Sequence, residues 1–93
     1  MSKFARYARA SILLKLDSPD EALQELLFLK DTAPDDPNVH FALGKAYKKM
    51  RNRTDAIRHF TIALNLDPKA QPHIKQVMEN WDDEDMWSSE DGG

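Results

Sequence analysis

Residues 37–68 read PNVHFALGKAYKKMRNRTDAIRHFTIALNLDP, and apolar residues recur through them at helical spacing with one polar break near the middle. Asp36 and Pro37 form a start signal: a carboxylate able to cap, then a residue whose missing N–H costs nothing in a first turn. Phe41, Leu43, Gly44, Ala46 and Tyr47 mark the helix that follows. Asn52 is expected to take a left-handed turn and Thr54 to cap a second helix, with Ala56, Ile57, Phe60, Ala63 and Leu64 buried before Asp67-Pro68 ends it. A glycine in a helix interior costs about 1 kcal/mol relative to alanine, so Gly44 predicts close approach of a neighbouring backbone.

The same pattern recurs earlier in the chain at one constant offset: Ala22 lies under Ala56, Leu26 under Phe60, Pro34 under Pro68, Ala10 under Gly44 and Leu13 under Tyr47. Small residues meet small ones and large apolar residues meet large ones. In this first copy, residues 3–16 carry a broad face of Phe4, Tyr7, Ala8, Ala10, Leu13 and Leu14, as a helix packed on two sides would. Ser18-Pro19-Asp20-Glu21 then predicts a capping box in which Ser18 caps and Glu21 returns the hydrogen bond. The face Ala22, Leu23, Leu26, Leu27 and Leu29 continues to about Asp31, and Pro34 closes the hairpin. The offset from Ala22 to Ala56 is the period of a helical-hairpin array, which divides the chain into repeats at 3–36 and 37–70.

Beyond Pro68 the pattern changes. Pro72 opens a short helix with Ile74, Val77, Met78 and Trp81 along one stripe and Lys75, Gln76 and Glu79 outward, the form of a capping helix over 71–81. Residues 82–93 have the acidic, Ser- and Gly-containing composition of disorder, with Met86 and Trp87 as exceptions.

Composition narrows the function. The chain has 93 residues, 41% of them hydrophobic, enough for one small domain. It has no Cys, which removes disulfides, thiolate metal sites and a cysteine nucleophile and suits a reducing, intracellular compartment. The longest apolar runs, Ile12-Leu13-Leu14 and Leu26-Leu27-Phe28-Leu29, are far too short to span a bilayer, so a soluble protein is expected. The net charge of -3 hides an asymmetry: residues 76–93 hold seven acids and no Lys or Arg, which leaves residues 1–75 at +4. Body and tail attract each other.

At Leu43, Gly44, Tyr47, Ala56, Phe60, Ala63 and Pro68 the quoted stretch resembles the tetratricopeptide consensus, and with Ala10, Ala22 and Pro34 these form the signature of an all-α, right-handed solenoid segment. His40 stands where that consensus prefers an aromatic, and Arg51 where it often has a turn glycine. Read with YARASILL, ALQELLFLK, ALNLDPKA and HIKQVMEN, residues 4 to about 80 resemble the last repeats of the third-subunit family of tetratricopeptide scaffolds in the anaphase-promoting complex. The resemblance implies a non-catalytic scaffold of a nuclear and cytoplasmic ubiquitin ligase that controls cell-cycle protein degradation, with other ligase subunits and coactivator tails as partners. In that family the groove receives Ile-Arg C-terminal tails and the N-terminal repeats dimerise; neither property maps residue by residue onto this chain. The alternative is a generic adaptor that holds a peptide in its groove.

Enzyme chemistry finds no support in the sequence. His40, His59 and His73 fall on three helices, so a metal set is not expected; His40 would fill an inter-helix contact and the other two would sit on solvated or edge positions. Ser11, Ser18, Ser88 and Ser89 lack a partnering His and acid, and no cofactor is expected. The basic band with Arg51, Arg53 and Arg58 could meet phosphates, but no nucleic-acid motif accompanies it and the tail competes for it. Ser88-Ser89-Glu90-Asp91 has the acid-following-serine pattern of acidophilic kinase sites.

The inner face of such an array is lined by the first helix of each repeat. That register assigns Phe4, Tyr7, Ser11, Leu14 and Lys15 to a candidate peptide groove, joined by Asn38, Phe41, Lys45, Lys48 and Lys49. Aromatic faces beside ammonium groups suit an extended acidic peptide or a terminal carboxylate. The competing reading has the lysines solvated and the aromatics packed on a neighbouring repeat. The groove departs from the chaperone-tail carboxylate clamp, since Tyr7 and Ser11 occupy two of its positions. With only two repeats, the uncovered first helix should make the isolated chain marginal or self-associating.

Overall fold

The computed structural model describes residues 2–79. Four helices follow one another: α1 (Lys3–Lys15), α2 (Pro19–Thr32), α3 (Pro37–Lys49) and α4 (Arg53–Leu66). A 3-10 turn, Pro68–Ala70, leads into a fifth helix, α5, over residues 71–79. The chain is all-helical among the described residues. α1 packs on α2 and α3 on α4 as antiparallel hairpins, and α2 against α3 joins them. Trp81, the last residue of the expected cap stripe, and residues 82–93 lie outside the described residues.

The core follows the small-and-large pattern of the sequence. Ala10, Leu14, Ala22, Leu26 and Leu29 of the first hairpin close on Val39, Ala42, Leu43 and Ala46 of α3. Ala56, Phe60, Ala63 and Ile74 form a second cluster, and half-buried Tyr47 packs against both. Burial of one Leu or Phe contributes about 1.5–3 kcal/mol, so these side chains carry most of the fold. On α5, Ile74 is fully buried, Val77 and Met78 are half-buried, and Lys75, Gln76 and Glu79 face outward.

Several local expectations are corrected. The close neighbour of Gly44 is a side chain: a Cβ built there would meet Phe60 ring atoms at 2.5, 2.6 and 2.9 Å. Ser18 occupies the N-cap of α2, but its side chain makes no capping bond; Ser2 caps α1 by accepting from Ala5 N at 3.1 Å. Asp36 caps α3 as expected, accepting from Asn38 N at 2.9 Å. Arg51, not Asn52, takes the left-handed turn, with φ 64°, and Asn52, not Thr54, caps α4 through Asp55 N at 3.3 Å. Asp17 repeats this geometry at φ 61°. In both turns the chain folds back on the last helical carbonyls: Ser18 N donates to Leu13 O at 2.8 Å and Asn52 N to Tyr47 O at 2.9 Å, so the turn is set by these closing bonds without glycine. Ile57 is 38% exposed, and His59 takes the buried place on α4.

Candidate groove and the paired imidazoles

The inner helices α1, α3 and α5 present the predicted groove residues in three zones. At the start of α1, Phe4 and Tyr7 line a cavity of about 230 Å3 with Lys3, Leu29, Asp36, Asn38 and Val39. Phe4 is 81% exposed, and the ammonium of Lys3 stands 3.8 Å from Asp36. In the middle zone, Tyr7, Asn38 and Phe41 share a cavity of about 220 Å3 with Asp67 and His73. Here the packing reading has weight: the Phe41 ring lies 5.6 Å from Phe60 and 5.0 Å from His73, and Lys45 Nζ sits 5.1 Å from its centroid.

The third zone is cationic. Ser11, Leu14 and Lys15 of α1 and Lys45 and Lys49 of α3 surround a cleft of about 400 Å3. Burial pushes the Lys45 pKa down first, and the charges of Lys15 and Lys49 push it the same way. Lys48, expected beside them, does not line this cleft. Lys48 and Lys49 lie on either side of Lys45, about 100° apart around α3, and Lys49 is the one turned to the cleft. At the opposite end, burial raises the Tyr7 pKa and the Asp36 carboxylate adds to it. The groove is thus polarised, with carboxylates near the start of α3 and ammonium groups near its end.

Sequence spacing hid a feature behind the groove. His40 and His59 meet with Nδ1 atoms 3.2 Å apart, their rings stacked at 5.4 Å, and both are buried. His59 therefore sits in the core, contrary to the solvated or edge position expected. The Tyr47 ring stacks on its other side at 5.5 Å. His40 Nε2 lies 2.7 Å from Pro34 O, which can only accept, so Nε2 carries a proton, and between the two facing Nδ1 atoms one ring donates and the other accepts. Burial pushes the His59 pKa down, His40, Lys30 and Arg58 push it further, and Asp55 opposes. The repeat register held the clue: in the first repeat the stations of His40 and His59 belong to Arg6 and Glu25, which form an ion pair of 3.3 Å. One repeat holds this helix contact with an ion pair and the next with stacked imidazoles.

Among the described residues no group of three or more His, Cys, Asp or Glu is placed to hold a metal, and no helix is long and apolar enough to cross a membrane.

Comparison with known proteins agrees with the helical repeats. The family model described as "Tetratricopeptide repeat" matches residues 37–70. The chain is 52% identical over 81 residues to "Anaphase-promoting complex subunit 3" of Schizosaccharomyces pombe, covering 87% of this chain and 12% of that protein. It is 57% identical over 47 residues to "Protein bimA" of Emericella nidulans, covering 50% of this chain and 6% of that one. With "Cell division cycle protein 27 homolog A" of Arabidopsis thaliana it shares 37% identity over 70 residues, 75% of this chain and 10% of the plant protein. The chain thus spans about one tenth of the length of these relatives. No solved structure matches it. The two antiparallel helical hairpins, the repeat period and the family match over residues 37–70 show an all-helical chain that contains a tetratricopeptide repeat.

Proposed function

We propose that the chain is a non-catalytic scaffold segment of an anaphase-promoting complex, a stretch of tetratricopeptide superhelix whose partners are other protein subunits of the ligase and coactivator tails. The carrying observation is the 52% identity over 87% of its length to the fission-yeast subunit. In this role the chain divides into repeats at 3–36 and 37–70, a cap over 71–81 and an acidic tail over 82–93, and it works in the nucleus and cytoplasm. The exposed apolar side chains of α1 and its C-cap support the reading physically: Ile12 and Leu16 are 56% and 69% exposed and Phe4, at the mouth of the groove, 81%, apolar surface that fits a neighbouring protein and would drive self-association of the isolated chain. Phe4, Tyr7, Ser11, Asn38, Phe41, Lys45, Lys48 and Lys49 are the proposed peptide-contacting residues. A second reading, an adaptor for acidic peptides, draws on the Lys15, Lys45 and Lys49 cleft. A segment exchange tests the first. Residues 3–79 placed in the fission-yeast subunit over its matching stretch should support assembly of the complex; a chimera that folds yet stays outside the complex would overturn the reading.

A further inference from the structure

Lys15, Lys45 and Lys49 bring three ammonium groups around one cleft. Gathered like charges repel: burial lowers the Lys45 pKa first, and the charges of Lys15 and Lys49 lower it further. Their acidic neighbour among the described residues is Asp17, exposed and 3.9 Å from Lys49 Nζ. A contact that long and that solvated is weak. The cleft therefore calls for carboxylates from elsewhere.

The repeat register identifies a source. α5 is the third inner helix: Ile74 is buried with Ala56, Phe60 and Ala63, and His73 lies against Phe41 of α3. Stepping by whole repeats leads from Ser11 to Lys45 to Glu79, and from Lys15 to Lys49 to Asp83. The chain thus leaves the last described turn of α5 at the level of Lys45, and Asp82, Asp83, Glu84 and Asp85 follow directly. Neighbouring helices lie about 8–10 Å apart. Four extended residues span about 13–14 Å, so these acids can reach the cleft beside α3 without unwinding α5. Residues 80–93 carry six acids and no Lys or Arg, against a body of net positive charge.

We propose that the Lys15, Lys45 and Lys49 cleft is a carboxylate site occupied by the chain's own Asp82–Asp85 stretch, which competes there with any acidic peptide entering the groove. The proposal rests on the groove reading above and adds an internal competitor to it. A short tether holds such a competitor at an effective concentration of about millimolar, so weak contacts suffice. A composition typical of disorder is compatible with this, because pairing of several charges requires no fixed backbone. Salt should release the stretch, since charge attraction is screened over about 10 Å at 0.1 M.

Reductive 13C-methylation of the full chain keeps every lysine charged and gives each an NMR signal. Asp82→Asn, Asp83→Asn, Glu84→Gln and Asp85→Asn combined should shift the Lys15, Lys45 and Lys49 signals and lower the Lys45 pKa, while Lys30 and Lys69 stay in place. In the unsubstituted chain, 0.5 M NaCl should move the same three signals, and in the variant it should move them far less. A hexaglutamate peptide should bind the variant at least threefold more tightly than the unsubstituted chain. Lysine signals that do not move, with equal peptide binding to both chains, overturn the internal competitor and leave the groove reading standing. Failure of the peptide to bind either chain overturns both. Lysine shifts that grow with protein concentration assign the acids to a second copy and also overturn the proposal.

Discussion

Gly44→Ala would place a new Cβ 2.5 Å from one Phe60 ring carbon and 2.6 Å from the next, where ordinary carbon contacts are about 3.5–4.0 Å. The ring is fully buried, so it must move by about 1 Å within a packed cluster. Overpacking of this kind costs about 1–3 kcal/mol, and the gain in helix propensity returns about 1 kcal/mol. The net expectation is a loss of up to about 2 kcal/mol, large against a total of roughly 5–15 kcal/mol. The first repeat supplies the compensating change, because Ala10 and Leu26 occupy the equivalent stations and both are fully buried. Phe60→Leu alone should leave a cavity, yet Gly44→Ala with Phe60→Leu should recreate the first repeat's pair. The double-mutant cycle should therefore show favourable coupling of about 1–2 kcal/mol, within the range of about 0.5–3 kcal/mol common for touching residues. Urea melts followed by circular dichroism at one fixed concentration read all four chains. Gly44→Ala more stable than the native chain, or a double variant equal to the sum of the singles, would refute the contact as the reason for the glycine.

Three further outcomes are expected. The His59 pKa lies below its unfolded value of about 6.5, so the unfolded chain binds more protons in the window between them; stability is full above about 6.5 and falls as pH drops toward the folded value. The slope that His59 contributes below about pH 6.5, at most about 1.4 kcal/mol per pH unit, should be lost in His59→Gln, and an unchanged slope or a His59 imidazole titrating at or above about 6.5 by NMR would contradict it. Arg51→Gly should stabilise the chain by about 0.5–1 kcal/mol, because a left-handed residue with a Cβ is strained and glycine is not. Asp17→Gly should gain less, since Asp tolerates that region better, and a loss in both melts would show that the side chains hold the turns.

How far the sequence could be read depended on the kind of interaction. The alternation of small and large residues exposed the helices and much of the core, because Ala22, Leu26, Ala56 and Phe60 are buried for a reason that volume alone expresses. Turn chemistry was less legible. Arg51 adopts a glycine's conformation because closing bonds to the Tyr47 and Lys48 carbonyls outweigh a local preference, and no propensity at position 51 announces that. Ser18 has the right residue type for a cap, yet its hydroxyl makes no capping bond. His59 was misplaced because a histidine is buried only with a partner, and that partner, His40, is 19 residues away. Of the groove, helical register alone places Lys45 and Lys49 on one cleft, whereas the break into three zones depends on how Phe41 packs on Phe60 and His73, which only the folded chain displays.

The proposed place of this chain in the scaffold of a multisubunit ubiquitin ligase is tested by the company it keeps. The protein that carries it should be affinity-purified from its own cells under native salt, and everything retained in stoichiometric amount identified by mass spectrometry. A scaffold segment predicts recovery of other anaphase-promoting complex subunits at fixed ratios, reduced when Phe4, Ile12 and Leu16 are all replaced by Ser. Recovery of a single chaperone or receptor tail, with no ligase subunit, would contradict it.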